Sequence, residues 1–347
     1  MSQKLSENQA FSNQIISWYR QNPRDLPWRN THDPYKIWLS EIILQQTRVA
    51  QGMPYYYAFS ENYPSVQDLA EAPESEVLRL WQGLGYYSRA RNLHFCAKYI
   101  WFELKGKFPS TYDELIKLKG VGSYTAAAIS SFAFGEVRAV VDGNVFRVLA
   151  RYFGISTDIA SGKGKTEFEA LANQLISRDN PGEYNQAIMD FGSRMCVPKN
   201  PDCPNCPLKS SCFAFSKNMI SDLPVKINKT KIKDRALNYL IIRCGNRWVW
   251  KQRSSGDIWT GLFDFPEIDH NPFSSQHPAQ QYPKNYKHIL SHQKLTATFS
   301  EVEIPEQEAQ KLEEWCETQG YSLVEENHIE YLAKPKLIVN FLTDQGF

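Results

Sequence analysis

No stretch of the 347-residue chain approaches the ~20 consecutive apolar residues that a membrane-spanning helix needs. Mean hydropathy is −0.48, and no membrane partner is expected. The opening residues, Met1-Ser2-Gln3-Lys4-Leu5-Ser6-Glu7-Asn8-Gln9, have no apolar signal core, so the expected location is the cytoplasm. An excess of one charge is lacking too: 39 basic residues face 38 acidic ones. Composition alone therefore announces no polyanionic partner, and any such partner must be argued from local features. Tandem repeats and long low-complexity tracts are also missing. What is present is 42% hydrophobic and 13% aromatic residues, enough for packed cores, which excludes a disordered or fibrous chain. At about 150 residues per domain the length suggests two domains. Seven cysteines in a reducing compartment favour a metal centre over disulfides.

Up to about residue 190 the apolar periodicity is helical. In Tyr35 to Val49, Ile37, Trp38, Ile42 and Leu44 recur near a 3.6-residue period, and Asp33-Pro34 ahead of them is a helix start. Further helices are expected over Ser65–Leu80, Tyr87–Phe102, Thr111–Leu118, Ser123–Phe134, Asn144–Phe153, Glu167–Ser177 and Asn185–Gly192, with short Gly- or Pro-containing turns between them. Beyond a cluster of four cysteines the character changes. Lys226, Lys229, Lys231, Lys233 and Arg235 make a basic linker. Ala236–Arg243 and Arg247–Gln252 are β-rich runs joined by Gly245-Asn246, a hairpin signal. Leu295–Ile304 alternates, Glu306–Gln319 has helical character, and a short helix ends the chain. The expected fold is thus a mostly α unit over 1–215, a linker over 216–234 and an α+β unit over 235–347. Charge is uneven in the last: 226–253 is strongly basic, while 301–330 carries ten carboxylates against Lys311 alone. The basic run could contact phosphates, or simply be solvated.

Cys196, Cys203, Cys206 and Cys212 are separated by six, two and five residues, with Pro198, Pro201, Pro204 and Pro207 stiffening the loop over 196–212. One wide gap followed by two narrow ones is unlike the paired spacing of zinc sites and suits a [4Fe–4S] cluster. A structural zinc and disulfides are the plainer alternatives. Cys96, Cys244 and Cys316 are isolated and read as ordinary core or surface thiols.

Leu118-Lys119-Gly120-Val121-Gly122-Ser123-Tyr124-Thr125 lies between two helical patterns. Its glycines allow a sharp turn and close backbone approach. Amides from Val121 to Tyr124, opening the next helix, would suit a phosphate, as a helix-hairpin-helix grips a DNA backbone without reading bases. A bare inter-helix turn is the plainer alternative. Some twenty residues on, Asp142 stands between Val140-Val141 and Gly143, where helix capping is its ordinary role. Glu41 shares a helix face with Ile37, Trp38 and Leu44. A carboxyl buried there would be raised in pKa and suited to hold a proton near neutrality, unless it pairs with Arg29, Lys36 or Arg48. Gln45-Gln46-Thr47 follows with amides that could meet base edges.

Trp38-Leu39-Ser40-Glu41-Ile42-Ile43-Leu44-Gln45-Gln46-Thr47, the Gly120–Thr125 hairpin, Val141-Asp142-Gly143-Asn144-Val145 and the four cysteines, in this order, resemble the helix-hairpin-helix DNA glycosylases. More narrowly they resemble the MutY-type adenine DNA glycosylases, which remove adenine mispaired with 8-oxoguanine. The resemblance covers residues 15–215, and the C-terminal unit resembles that family's MutT-like (Nudix-like) recognition domain. It implies a catalytic domain over 1–215 holding a [4Fe–4S] cluster on Cys196, Cys203, Cys206 and Cys212, a basic linker, and a recognition domain over 235–347. It also implies a monomer acting on double-stranded DNA, cytoplasmic and nucleoid-associated, with adenine opposite 8-oxoguanine or guanine as substrate.

Residue by residue, the resemblance makes Glu41 the acid that protonates the base and Asp142 the anion that stabilises the sugar cation. Asn144 would orient sugar or water, and Tyr124 would support the ionised Asp142. Trp28, Arg29, Leu44 and Gln186 match the family's adenine pocket. Gln46 and Tyr86 match residues that wedge into the duplex, Thr47 and Leu84 residues that touch the oxidised guanine, and Gly120, Val121 and Gly122 the backbone grip. Relatives with lyase activity carry a Lys where this chain has Tyr124, so a monofunctional enzyme is implied. Trp248-Val249-Trp250-Lys251-Gln252-Arg253 and Trp259–Pro266 resemble the MutT-like fold's first strands and loop. The glutamate-rich magnesium helix of a pyrophosphohydrolase does not follow, since the next residues are Glu267-Ile268-Asp269-His270-Asn271-Pro272. The family's Phe-Ser-His reading loop is here Leu290-Ser291-His292, with Ser291 and His292 as the hydrogen-bonding pair. The alternatives are an endonuclease III-like or thymine mismatch glycosylase, a non-catalytic DNA-binding protein and a nucleotide pyrophosphohydrolase.

Overall fold

The first two hundred residues form the expected run of helices. The computed structural model describes residues 2–227, 232–267, 273 and 277–347, with side chains from residue 8 onward. Lys229 and Lys231 of the linker and residues 268–272 lie outside the described residues. In chain order the helices are α1 (Ser2–Gln21), α2 (Pro34–Leu44), α3 (Val49–Asn62), α4 (Val66–Glu71), α5 (Glu74–Leu80) and α6 (Ser88–Lys98), then α7 (Tyr112–Leu115), α8 (Ser123–Phe134), α9 (Gly143–Phe153), α10 (Gly162–Leu175), α11 (Pro181–Arg194) and α12 (Phe213–Ser216). Among the described residues no helix is long and apolar enough to cross a membrane.

Three boundaries depart from the periodicity for local reasons. The helix expected to reach Val49 stops at Leu44, because Gln46 takes a left-handed backbone with φ 54°. The stretch over Ser65–Leu80 breaks at Pro73, which lacks an amide N–H and caps α5 in extended conformation. Helix α6 passes into a wide π-type turn over Tyr99–Glu103, so the helical stretch ends one residue past the expected Phe102.

Two compact units emerge: residues 1–50, 63–67 and 95–228, and residues 51–62, 68–94 and 229–347. The division expected from composition follows the chain, whereas these units do not, because 51–62 and 68–94 group with the C-terminal residues. In the first unit Phe11, Ile15 and Trp18 of α1 pack with Val145, Val148 and Leu149 of α9, Phe168 of α10, and Ile188 and Phe191 of α11. Helix α2 is buried at every position from Ile37 to Ile43, as befits a helix at the centre of a bundle.

The second unit holds a seven-stranded mixed sheet. Its strands are β1 (Lys233–Cys244), β2 (Arg247–Gln252), β3 (Phe263–Asp264), β4 (Gln280–Gln281), β5 (Tyr286–Ile289), β6 (Gln293–Glu303) and β7 (Tyr321–Glu325), with helices α13 (Ala309–Gln319) and α14 (Lys336–Asp344). The path runs β3-β2-β1-β6-β4, with β5 pairing β6 and β7 pairing β2. The Gly245-Asn246 hairpin forms as expected, Gly245 supplying φ 59°. Strand β1 alternates two buried faces: Leu237, Tyr239 and Ile241 join α14 through Leu337, Ile338 and Phe341, while Leu240, Ile242 and Cys244 join α13 through Leu312 and Cys316. The central β1–β6 pair is parallel over residues 233–243.

Four arginines of the basic run are paired with acids. Arg235 pairs with Asp257 at 2.6 Å, Arg243 with Glu301 at 3.1 Å, Arg247 with Glu313 at 2.5 Å, and Arg253 with Asp264 at 2.6 Å. Two of these acids come from the acidic stretch 301–330, which the parallel β1–β6 pairing and α13 fold beside the basic strands. The isolated cysteines Cys96, Cys244 and Cys316 are all buried.

Candidate active site

Helix α2 begins as its sequence dictates. Asp33 caps it by accepting the Tyr35 N–H at 2.9 Å, with Pro34 in the first turn. About two turns later Glu41 is 7% exposed and faces a cavity of about 510 Å³, in the size range of small-ligand sites. The residues brought together there are Glu41, Tyr124, Asp142, Asn144, Trp28, Arg29, Leu44, Gln46 and Gln186, which line this one cavity. Thr47, the glycine hairpin and the remaining predicted residues lie outside its lining.

Glu41 makes no ion pair among the described residues, because its expected partner is taken. Arg29 forms a two-pronged bridge to Asp190, Nη1 to Oδ2 at 2.8 Å and Nη2 to Oδ1 at 2.7 Å. Desolvation pushes the Glu41 carboxyl up to about 7, helped by the nearby Asp142 and opposed by Tyr124 and Arg29. The group therefore holds its proton for much of the time at neutral pH. Tyr124 is held well above the ordinary tyrosine range by burial and by both carboxyls, and stays a neutral donor. Its hydroxyl faces Glu41 and also Met189 Sδ at 3.7 Å.

Asp142 does fill the plain capping role, and more. One of its oxygens accepts the backbone N–H of Asn144 at 2.9 Å and of Val145 at 2.8 Å, and the other accepts Asn144 Nδ2 at 2.8 Å. Burial raises its pKa above the aspartate range, while these donors and Arg147 favour the anion. The helix N-terminus behind it favours negative charge as well. Asn144 is fixed from its other side, with Oδ1 accepting Arg147 Nη2 at 2.9 Å. Gly192 lets α11 come this close to α9, since a Cβ there would stand 2.7 Å from Asn144 Cβ.

Sequence reasoning missed Asp190, Arg24, Ser193 and Tyr19. The first three line the cavity. Tyr19 donates to Gln186 Oε1 at 2.8 Å and lies under the Arg29 guanidinium, so Gln186 presents its amide N–H₂ to the space. A signal for Asp190 was available: it is a carboxylate between Met189 and Phe191, one turn after Gln186.

The hairpin between α7 and α8 is formed, with Gly120 at φ 82° and Gly122 as the helix cap. One expectation needs correction. The Val121 N–H is spent on Leu118 O at 3.1 Å, and its side chain is buried, so that residue braces the turn instead of offering an amide. Gly122 carries no capping side chain, and the first amides of α8 remain to serve an anion. Gln46 is exposed with φ 54°, and its neighbour Gln45 is anchored to Thr125 Oγ1 at 3.2 Å. The Thr47 hydroxyl donates back to Gln45 O at 3.3 Å.

In the second unit Tyr86 is likewise exposed and left-handed, at φ 50°. Both predicted wedge residues thus adopt a backbone region that non-glycine residues enter at a cost, a trait common at functional sites. The Leu84 side chain is buried. Ser291 and His292 form the exposed tip of the β5–β6 hairpin, with Ser291 Oγ 3.3 Å from His292 Nδ1. Leu290, standing where the family has Phe, packs against the sheet core.

The four clustered cysteines line one small cavity together with Arg151 and Leu208. The other cysteines raise the thiols of Cys203 and Cys206, after burial, the latter to about 11. Arg151 donates to Cys196 Sγ at 3.5 Å and to the carbonyls of Val197 and Pro198. Among the described residues no three His, Cys, Asp or Glu side chains close to a single-ion site.

Residues 39–177 match the HhH-GPD superfamily base excision DNA repair proteins, and residues 238–344 match the NUDIX domain. The chain is 38% identical over 261 residues to the adenine DNA glycosylase of Buchnera aphidicola subsp. Schizaphis graminum, covering 75% of each. It is 43% identical over 238 residues to that of Mus musculus, covering 66% of this chain and 46% of the mouse protein. A solved thermostable thymine-DNA glycosylase is similar with a TM-score of 0.56 and 30% identity over 61% of this chain and 98% of its own. An endonuclease III bound non-covalently to DNA is similar with a TM-score of 0.53 and 25% identity over the same shares. With a buried carboxyl and a capped carboxylate facing one cavity, and with a 38% identical relative matched over 75% of its length, the chain belongs to the adenine DNA glycosylases.

Proposed function

We propose that this chain hydrolyses the N-glycosidic bond of adenine mispaired with 8-oxoguanine, or with guanine, in duplex DNA. The observation that carries this is the placement of Glu41 and Asp142 on one cavity, the first dry and raised to about 7, the second hydrogen-bonded as an anion. Adenine must be flipped out to expose its sugar bond, and the cavity would receive it. Glu41 gives its proton to N7. The N9–C1′ bond then breaks with its electron pair going to the base, and the cationic sugar is stabilised by Asp142. Water adds at C1′ and returns a proton. A proton-holding carboxyl and a second carboxyl gripped by N–H donors on one cavity follow the logic of glycoside hydrolysis. Asn144, braced by Arg147, orients sugar or water, and Tyr124 supports the pair. Arg29, fixed by Asp190, and Gln186 hold the base against Trp28 and Leu44.

On the DNA side, Gly122 and the first amides of α8 would hold a phosphate, with Gly120 and Val121 shaping the turn. Gln46 and Tyr86 would fill the space left by unstacking. Contact with the oxidised base would come from Thr47, from the main chain of Leu84, and from Ser291 and His292. The proposed agent is a monomer working at the nucleoid.

The thymine mismatch alternative is tested directly. Excision from a duplex with one adenine opposite 8-oxoguanine should exceed excision of thymine opposite guanine by at least about 100-fold, the discrimination a pocket with matched hydrogen bonds sustains. Equal rates, or faster thymine release, would overturn the assignment. In the same assay strand nicking should require added alkali, because Tyr124 offers no amine to form a Schiff base with C1′. Alkali-independent nicking matching base release would refute the monofunctional proposal.

The four cysteines fit a [4Fe–4S] cluster, because all four line one cavity and Arg151 supplies donors to Cys196 and its loop. Cys196, Cys203, Cys206 and Cys212 would be its ligands, and its contribution would be structural, closing the 196–212 loop. The purified protein should therefore be brown, with iron and acid-labile sulfide in equal amounts. A colourless, zinc-loaded and fully active protein would contradict this.

A further inference from the structure

The turn carrying Leu84 and Tyr86 is built against the C-terminal part of the second unit. Gly83 has φ 95° and would place a Cβ 2.7 Å from Tyr55 Oη, so glycine is required there. Tyr86 points outward, 47% exposed, while its neighbour Tyr87 turns inward, 6% exposed. The Tyr87 hydroxyl accepts the Gly83 N–H at 3.3 Å and donates to Lys334 O at 3.0 Å. Gln82 Oε1 accepts the Lys334 N–H at 3.0 Å. One residue of the C-terminal segment is thereby held at both its amide and its carbonyl by residues on either side of the turn.

Lys334 is itself firmly placed. Its ammonium is buried and donates to the carbonyls of Ile329 and Leu332, and Ala333 O accepts the Phe263 N–H of β3 at 2.8 Å. The turn is therefore fixed by a segment that is part of the sheet's own hydrogen bonding. Positive φ at Gly83 and Gly85 is open to glycine, whereas the left-handed backbone of Tyr86 persists only where the surroundings over-determine it.

We propose that Tyr87 and Gln82 are positioning residues, which use the Lys334 segment to set the Tyr86 ring in its projecting conformation. Recognition of the base opposite the target adenine then depends on two side chains whose hydrogen bonds run to the Lys334 segment. This rests on the wedge role proposed for Tyr86, and the experiment separates the two. Affinity is measured for a duplex with adenine opposite 8-oxoguanine and for one with an abasic site in place of the oxidised base. Tyr86→Ala should lower the preference for the first duplex, and Tyr87→Phe and Gln82→Met should each lower it about five- to tenfold, the loss expected for a hydrogen bond with its partner left buried. The double variant Tyr86→Ala/Tyr87→Phe should be no worse than Tyr86→Ala alone, because the two act through one ring. Mere destabilisation would instead weaken binding to both duplexes and multiply in the double variant. Wild-type preference in both Tyr87→Phe and Gln82→Met, or multiplying losses, would overturn the positioning role with the wedge intact. A Tyr86→Ala protein with unchanged preference would remove the wedge itself.

Discussion

Glu41→Gln is expected to leave duplex binding within about twofold and to cut adenine release by about 10²- to 10⁴-fold, the range for a positioned general acid. Glutamine fills the same volume and can still hydrogen-bond to Tyr124, but it has no proton to give to a purine nitrogen. The sign of the pH dependence follows from the raised value of about 7. Below it the carboxyl is protonated and competent. Above it the acid is lost, so single-turnover excision should fall about tenfold per pH unit once Glu41 has ionised. The variant's residual rate should lack that limb. Single-turnover assays from pH 6 to 9 on both proteins decide the matter, and a variant retaining wild-type excision would remove Glu41 from the mechanism.

Asp142→Asn should be nearly as severe, about 10²- to 10³-fold in excision, because a preorganised charge facing a developing cation is lost. The substitution separates two duties of one side chain. Asparagine caps helices about as well as aspartate, so Oδ1 can still accept the N–H groups of Asn144 and Val145, and α9 should keep its start. Circular dichroism and melting temperature should therefore stay close to wild type while excision collapses. Asp142→Ala is the contrasting variant: it loses the anion and also about 1 kcal/mol of cap. If Asp142→Asn excises normally and Asp142→Ala does not, the residue is a cap and nothing more.

What could be seen in the sequence was local. The Asp33-Pro34 start of α2, the Gly245-Asn246 hairpin and the position of Glu41 all depend on near neighbours in the chain, where periodicity and turn chemistry act. The cavity's far wall was less visible. Asp190 binds Arg29 across 161 residues, and only folding shows that this frees Glu41 from its obvious partner. The parallel β1–β6 pair escaped for the same reason, since its strands are separated by the long connection over 245–292 and neither one announces its neighbour. The basic and acidic runs hid their pairing because a linear charge pattern does not say which side chains face each other. Arg243 and Arg247 find Glu301 and Glu313 only once β6 and α13 are in place. Val121 misled differently, since the identity of a turn residue says nothing of whether its amide closes the turn or faces outward.

The raised pKa of Glu41 comes first from burial, with Asp142 adding to it and Tyr124 and Arg29 opposing it, so it is present before any base is seated. A flat heterocycle seated against Trp28 and Leu44 keeps solvent from the carboxyl and so preserves the very proton it is to receive. The acid is thus ready when a base arrives, and only a base lifted out of the stack can reach it, which spares the many sugar bonds that the protein passes without such eversion.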